Sequence, residues 1–423
     1  MTTASPATGL ARLLTLGFPI GLILSVVAAL LLGAVLSGHF AVLRLPVPTG
    51  PYEVGTVTRS VDIPVTDSGG TDIGPPRRID LELWYPAVDV SATRRAAYRA
   101  ADSHGAPLLT RFLRDLMQAD SYLDASVADG SHSVLLYFPA WGGTRADNTV
   151  LAQNLASHGF VFVGMDDLYP SRPMDFSSEQ AFRASLRWGD DKARLEAGAA
   201  REVIDALALW NAADETGRFT SHLDLKRLGA FGFSYGGAVA GELARVDSRV
   251  HAAADMDGWL FSDAATKGVS QPFLILGGKD PARRQDDSTL PIEDHYAAVL
   301  DAIDGRQISA GFHRYGGFLL TIPGAQHYNF SDLAFLPTVR HTSLGPIDGK
   351  RAASVIQEYL SEFFGHYLNG LPAPLLAPSR AGSEPSLASQ RVDVAAQLEV
   401  WPPPKSQRTA TPHLRVLRKP PIR

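Results

Sequence analysis

A serine set between two glycines, Gly232-Phe233-Ser234-Tyr235-Gly236, is where this chain has the residue types for nucleophilic chemistry. A serine hydroxyl becomes a useful nucleophile only when a base takes its proton and an acid orients that base. Ser234 therefore calls for a histidine and a carboxylate from elsewhere in the sequence. The flanks say how the serine is presented. Leu228-Gly229-Ala230-Phe231 is a short apolar run, and Gly237 to Arg245 reads as a small-residue helix able to pack closely on a sheet. Strand, sharp turn and helix in that order lift a hydroxyl clear of the sheet edge, and Gly232 and Gly236 remove the Cβ atoms that would collide there.

In such a nucleophile elbow the partners follow the serine, acid first and histidine last. His251, His295, His313 and His366 lie in or near regular segments. His327 sits in the loop Ile322 to Phe330 behind the strand-like Gly317 to Thr321, where a side chain can reach over the sheet edge, with His341 as second choice. Two acids compete. Asp257 follows the strand Ala252 to Met256, Asp280 follows Leu274 to Lys279, and the residues alone leave them level, whereas Asp255 is strand-internal.

The elements that must position these groups alternate. Val61 to Val65 and Ile79 to Tyr85 have the two-residue period of half-buried strands and suggest an antiparallel start. Ser133 to Phe138, Phe160 to Met165, Val250 to Met256 and Pro272 to Leu276 are apolar runs. Between and beyond them come helical patterns at Asn148 to His158, Leu195 to Ala212 and Ala353 to Leu368, with another at Leu108 to Met117. The class is α/β, with a mostly parallel central sheet covered by helices on both faces.

Outside residues 46–370, expected to form one catalytic domain, the composition changes. Leu13 to Leu43 contains no Asp, Glu, Lys or Arg, long enough for a spanning helix and longer than a usual signal-peptide core. Residues 1–45 are therefore expected to be an uncleaved membrane anchor, or a signal segment if cleaved. Arg12 and Arg44 nearly balance across it and favour a cytoplasmic N-terminus, with the domain exported, by a narrow margin. Residues 371–423 hold ten prolines and eight basic against three acidic residues, which predicts an extended or disordered tail. A net charge of −5 gives no argument for nucleic acid, and with no cysteine in the chain disulfides and thiolate chemistry are excluded. No metal-binding motif occurs, and no cofactor is expected. The acidic pairs Asp166-Asp167, Asp190-Asp191 and Asp286-Asp287 read as solvated surface or helix caps.

Several blocks carry a resemblance. Gly232 to Gly237, Met256-Asp257-Gly258-Trp259-Leu260-Phe261 and His327-Tyr328-Asn329-Phe330-Ser331-Asp332 resemble the serine, aspartate and histidine blocks of the secreted platelet-activating-factor acetylhydrolases. Gly50 to Gly55, Leu83-Trp84-Tyr85-Pro86 and Asn154 to Phe160 resemble the same family, so the likeness spans roughly residues 50–368. It implies an α/β-hydrolase fold and hydrolysis of short or oxidised acyl esters of phospholipids. It also selects Asp257 over Asp280, and backbone N–H groups of Trp141 and Tyr235 as oxyanion donors. Two departures bear on substrate choice: Pro139-Ala140 stands where the family usually has His-Gly, and Met165-Asp166-Asp167 lacks its His-Arg-Asp.

The expected reaction is acyl transfer through Ser234, Asp257 and His327 on a small-molecule or lipid ester, with Trp141, Trp259 and Phe330 as either acyl-pocket walls or core. The alternatives are a general carboxylesterase or a polyester or dienelactone-type hydrolase. Of another class altogether is a catalytically inactive, membrane-tethered binding module.

Overall fold

The computed structural model describes residues 45–66, 72–98, 117–169, 172, 174–278, 292–335, 344–377 and 397–401, with Gly21, Ser25, Val26 and Ala29. No helix among the described residues is long and apolar enough to cross a membrane. Most of the proposed anchor lies outside them, as do Asp280, Asp286-Asp287, His341 and the helix expected from Leu108.

Strands β1 (Glu53–Thr66) and β2 (Asp72–Val88) form the antiparallel start anticipated from their alternation. Short strands β3 (Arg95–Ala97), β4 (Gln118–Leu123) and β5 (Ser126–Val127) edge this half. The chain then alternates: β6 (His132–Phe138), α1 (Thr149–Ser157), β7 (Phe160–Met165), α2 (Glu179–Ala212), β8 (Leu223–Phe233), α3 (Tyr235–Val246) and β9 (Val250–Met256). It continues through α4 (Ser262–Lys267), β10 (Phe273–Gly277), α5 (Ile292–Tyr315), β11 (Gly317–Thr321), α6 (Gly349–Asn369) and β12 (Gln397–Trp401). The sheet order is β12-β11-β10-β9-β8-β6-β7-β2-β1-β4-β3, with β5 on β2.

From β7 to β11 every neighbouring pair is parallel, while β2 on β7 and β12 on β11 are antiparallel, so the sheet is mixed. The reason is connection length. A short turn can join β1 to β2, but parallel neighbours need a crossover long enough for a helix. Fully buried strands follow from cover on both sides: on β6, Val134, Leu136 and Phe138 face a core shared with α2 to α5, and Leu135 and Tyr137 face one shared with α1 and α6.

One sequence expectation changes here. Helix α2 starts sixteen residues before Leu195, capped by the Ser178 side chain, and runs straight through Gly189-Asp190-Asp191. Within it Gly189 is needed for close packing, since a Cβ there would strike the Phe261 ring at 2.7 Å. In the tail, expected to be extended or disordered, the described residues Gln397–Trp401 are extended and pair antiparallel with β11.

Candidate active site

The turn between β8 and α3 carries Ser234 at φ 56° and ψ −126°, a conformation a non-glycine residue adopts only when its surroundings impose it. They do so here. A Cβ on Gly232 would lie 2.1 Å from the Gly236 carbonyl carbon, and one on Gly236 would lie 2.1 Å from the Phe138 carbonyl oxygen. The Ser234 N–H donates to the Met256 carbonyl at 2.8 Å, which ties the elbow to the end of β9.

The next residue on that strand end is Asp257, also at positive φ (56°). Its Oδ1 accepts the Gly278 N–H at 2.9 Å, and its Oδ2 lies 2.8 Å from His327 Nδ1. Gly278 follows β10, and a Cβ there would meet the Ala325 carbonyl at 2.3 Å, so the loop carrying His327 is pressed against it. Buried Asn329 holds that loop's shape: its Oδ1 accepts the N–H groups of Gln326 and Gly345, both at 2.8 Å. The His327 ring packs on Phe233, the residue before the serine, with centroids 4.8 Å apart. The ends of β8, β9, β10 and β11 thus converge, as parallel strands with their carboxyl ends on one edge allow.

Ser234, Asp257 and His327 line one cavity of about 480 Å³, together with Trp141, Tyr235 and Trp259. Phe330 is not on its wall. It is 1 % exposed in the core under α6, which settles its two sequence readings in favour of packing. Among the described residues, no group of three or more His, Asp or Glu side chains is arranged to hold a metal ion.

Comparison with known proteins finds likenesses to hydrolases. Residues 120–317 match the model of the dienelactone hydrolase family, a span that includes Ser234 and Asp257 and stops before His327. A curated protein of Arthroderma benhamiae named "Probable 1-alkyl-2-acetylglycerophosphocholine esterase" is 24% identical over 395 residues, covering 83% of this chain and 95% of that one. A solved ferulic acid esterase from Streptomyces cinnamoneus superposes with a TM-score of 0.57 at 22% identity, over 86% of this chain and all of its own. The fold is α/β-hydrolase-like.

Within this α/β-hydrolase-like frame the cavity has carboxyl groups that the sequence did not single out. Asp301 on α5 accepts the Trp259 indole N–H at 2.8 Å, and Asp304, a turn further on, accepts the Leu260 N–H at 2.8 Å. Burial pushes Asp304 up to about 7. Beneath the elbow, fully buried Asp255 accepts the Gly258 N–H at 3.1 Å, and among the described residues its Oδ2 has no hydrogen-bond partner. Burial first, then the charges of Asp304 and Asp257, hold that carboxyl well above the usual range. A helix-borne aspartate reads from sequence as solvated. Only the packing of α5 over the cavity makes Asp301 and Asp304 part of it.

The acidic pairs also sort differently from the sequence reading. Asp190 does act as a cap, accepting the Ser262 N–H that opens α4. Asp167 is not solvated: its side chain is 5% exposed and forms an ion pair with buried Lys192.

Proposed function

We propose that this chain is a serine carboxylic-ester hydrolase working through an acyl-enzyme. The observation that carries the proposal is the 2.8 Å contact between Asp257 Oδ2 and His327 Nδ1 in the same cavity as a serine on a strained elbow. In this reading His327 takes the Ser234 proton as the hydroxyl attacks the ester carbonyl, and Asp257 keeps the imidazole oriented and stabilises its charged form. The developing oxyanion is received by the backbone N–H groups of Trp141 and Tyr235. Both suit the role. Tyr235 opens α3 and so has no intrahelical acceptor for its N–H, and among the described residues the Trp141 N–H has none either. Collapse of the tetrahedral intermediate releases the alcohol, and water then releases the acid by the same steps in reverse roles.

For substrate, we favour short-acyl phospholipids or similar esters, in keeping with the resemblance to the platelet-activating-factor acetylhydrolases and with the name of the Arthroderma relative. A general carboxylesterase is the second reading, favoured by the dienelactone hydrolase match. Tethering by the apolar run Leu13 to Leu43, with the domain exported, is part of the proposal and would bring the cavity to a lipid surface. Titration with a fluorophosphonate tests the chemistry: one label per chain on Ser234 is expected, and an unlabelled Ser234 would refute it. Relative rates on a short-acyl phospholipid and a soluble aryl ester then decide between the two substrate classes.

A further inference from the structure

Behind the loop that bears Trp141 lies a buried ionic cluster with no part in the mechanism above. Lys192 on α2 has a side chain 1% exposed, and its ammonium is bonded to Asp167 Oδ1 and to Glu196 Oε1 one turn along the helix. Asp167 follows β7. Its Oδ2 accepts the Gly142 N–H at 2.6 Å, and its own N–H donates to the Gly143 carbonyl at 3.2 Å. Residues 140–143 form a turn closed by the Gly143 N–H on the Ala140 carbonyl at 2.8 Å, with Gly142 at φ 68° as a type II turn requires in its third position. The Gly142 N–H belongs to the central peptide of that turn, so the carboxylate fixes that plane and, through it, the adjoining Ala140–Trp141 peptide.

The same ammonium reaches the second donor. It sits 4.7 Å from the centre of the Tyr235 ring, which also packs on the Trp141 ring at 4.6 Å and on Phe261 at 5.5 Å, and Trp188 stacks on Trp141 at 5.4 Å. Burial, then the hydrogen bond with Asp167, holds the Glu196 carboxyl well above the usual range. The cluster is therefore buried, with the Lys192 amine held between two side-chain carboxyl groups that are each about 5% exposed or less. Such a group is costly to place in a core unless every member is bonded, and here Asp167 bonds to the turn that carries Trp141 while Lys192 lies over the Tyr235 ring.

We infer that Lys192 and Asp167 are positioning residues that clamp the Trp141 and Tyr235 amides into an oxyanion hole. The inference rests on the proposed serine mechanism and adds to it what holds the hole in shape. An amide at 167 has a single acceptor, so Asp167→Asn can serve either Gly142 or Lys192 and must turn an N–H towards the other. Lys192→Met removes the charge at similar length. Because loss of one oxyanion donor costs about 10²-fold or more in kcat, each variant should lose kcat on that order with KM changed by less than about threefold.

The readout specific to the hole is the rate ratio between an oxygen ester and its thionoester, because sulfur accepts hydrogen bonds poorly. That preference should shrink in both variants. Fluorophosphonate labelling of the wild-type protein at Ser234 separates the two ideas. Without it, the serine mechanism and the clamp both fall. With it, variants that keep wild-type kcat, or that slow equally on both esters, refute the clamp alone. If Lys192→Met gives no folded protein, the isosteric Asp167→Asn carries the test by itself.

Discussion

Asp257→Asn probes the proposed reaction with the least disturbance to the fold. Asparagine has nearly the same shape and is among the residues that accept positive φ, so the backbone at 56° can be kept. The carboxylate now serves two donors with two oxygens, the Gly278 N–H at 2.9 Å and the His327 ring at 2.8 Å. The amide keeps only one of those acceptors. With its oxygen on Gly278, its NH₂ faces His327 Nδ1 and selects the tautomer whose Nε2 carries the proton, which is a donor towards Ser234 and no base. Loss of the working tautomer is worth about 10⁴-fold in kcat, or about 5 kcal/mol at 1.36 kcal/mol per tenfold. Steady-state hydrolysis of an aryl acetate gives kcat, and a thermal melt run beside it should stay within a few degrees of the wild type. A kcat within tenfold of wild type in a folded variant would refute the role given to Asp257. If Asp280→Asn alone abolished turnover, the acid would lie there.

Three further outcomes are expected. Gly258→Ala places a Cβ 2.1 Å from the Ser234 carbonyl oxygen and 2.7 Å from Asp255 Oδ1, so it should displace the elbow and cut kcat more than tenfold, and an unchanged rate would mean that the elbow yields freely. Asp304 holds its proton up to about pH 7 when folded but only to about 3.8 unfolded. Its contribution to stability is thus complete below the lower value and is lost as pH rises through the upper one, by about 4 kcal/mol at most. Asp304→Asn keeps an acceptor for Leu260 and should be the more stable protein in denaturant melts at pH 8, with the gap closing by pH 4; a pH-independent gap would contradict this. Phe330→Ala should cost about 3–5 kcal/mol of stability as a core truncation while leaving KM in place, and a KM effect without a stability loss would return it to the cavity wall.

Local signals were legible wherever one residue's type decides its surroundings. The glycines at 232 and 236 announce the elbow because no side chain fits there, and unbroken apolar runs such as Ser133 to Phe138 announce strands covered on both faces. Chain order pointed to His327, and resemblance rather than spacing separated Asp257 from Asp280. What sequence could not reveal depends on contacts between distant segments. Lys192 and Glu196 look like an ordinary exposed i, i+4 pair, Asp167 like a surface acid, and Asp301 and Asp304 like the wet side of a helix. Their burial follows from how α2 and α5 lie over the sheet.

By itself, then, the sequence determined the alternation of strands and helices, the elbow at Ser234 and the set of residues able to serve it, because each of these is a property of a few consecutive side chains. The tertiary structure alone decided that the ends of β8, β9, β10 and β11 bring Ser234, Asp257 and His327 to one cavity. It also decided that Phe330 belongs to the core, and that a buried ammonium stands behind Trp141 and Tyr235. Those outcomes rest on packing between segments tens to hundreds of residues apart, where the cost of burying a charge is met only once its distant partner is in place.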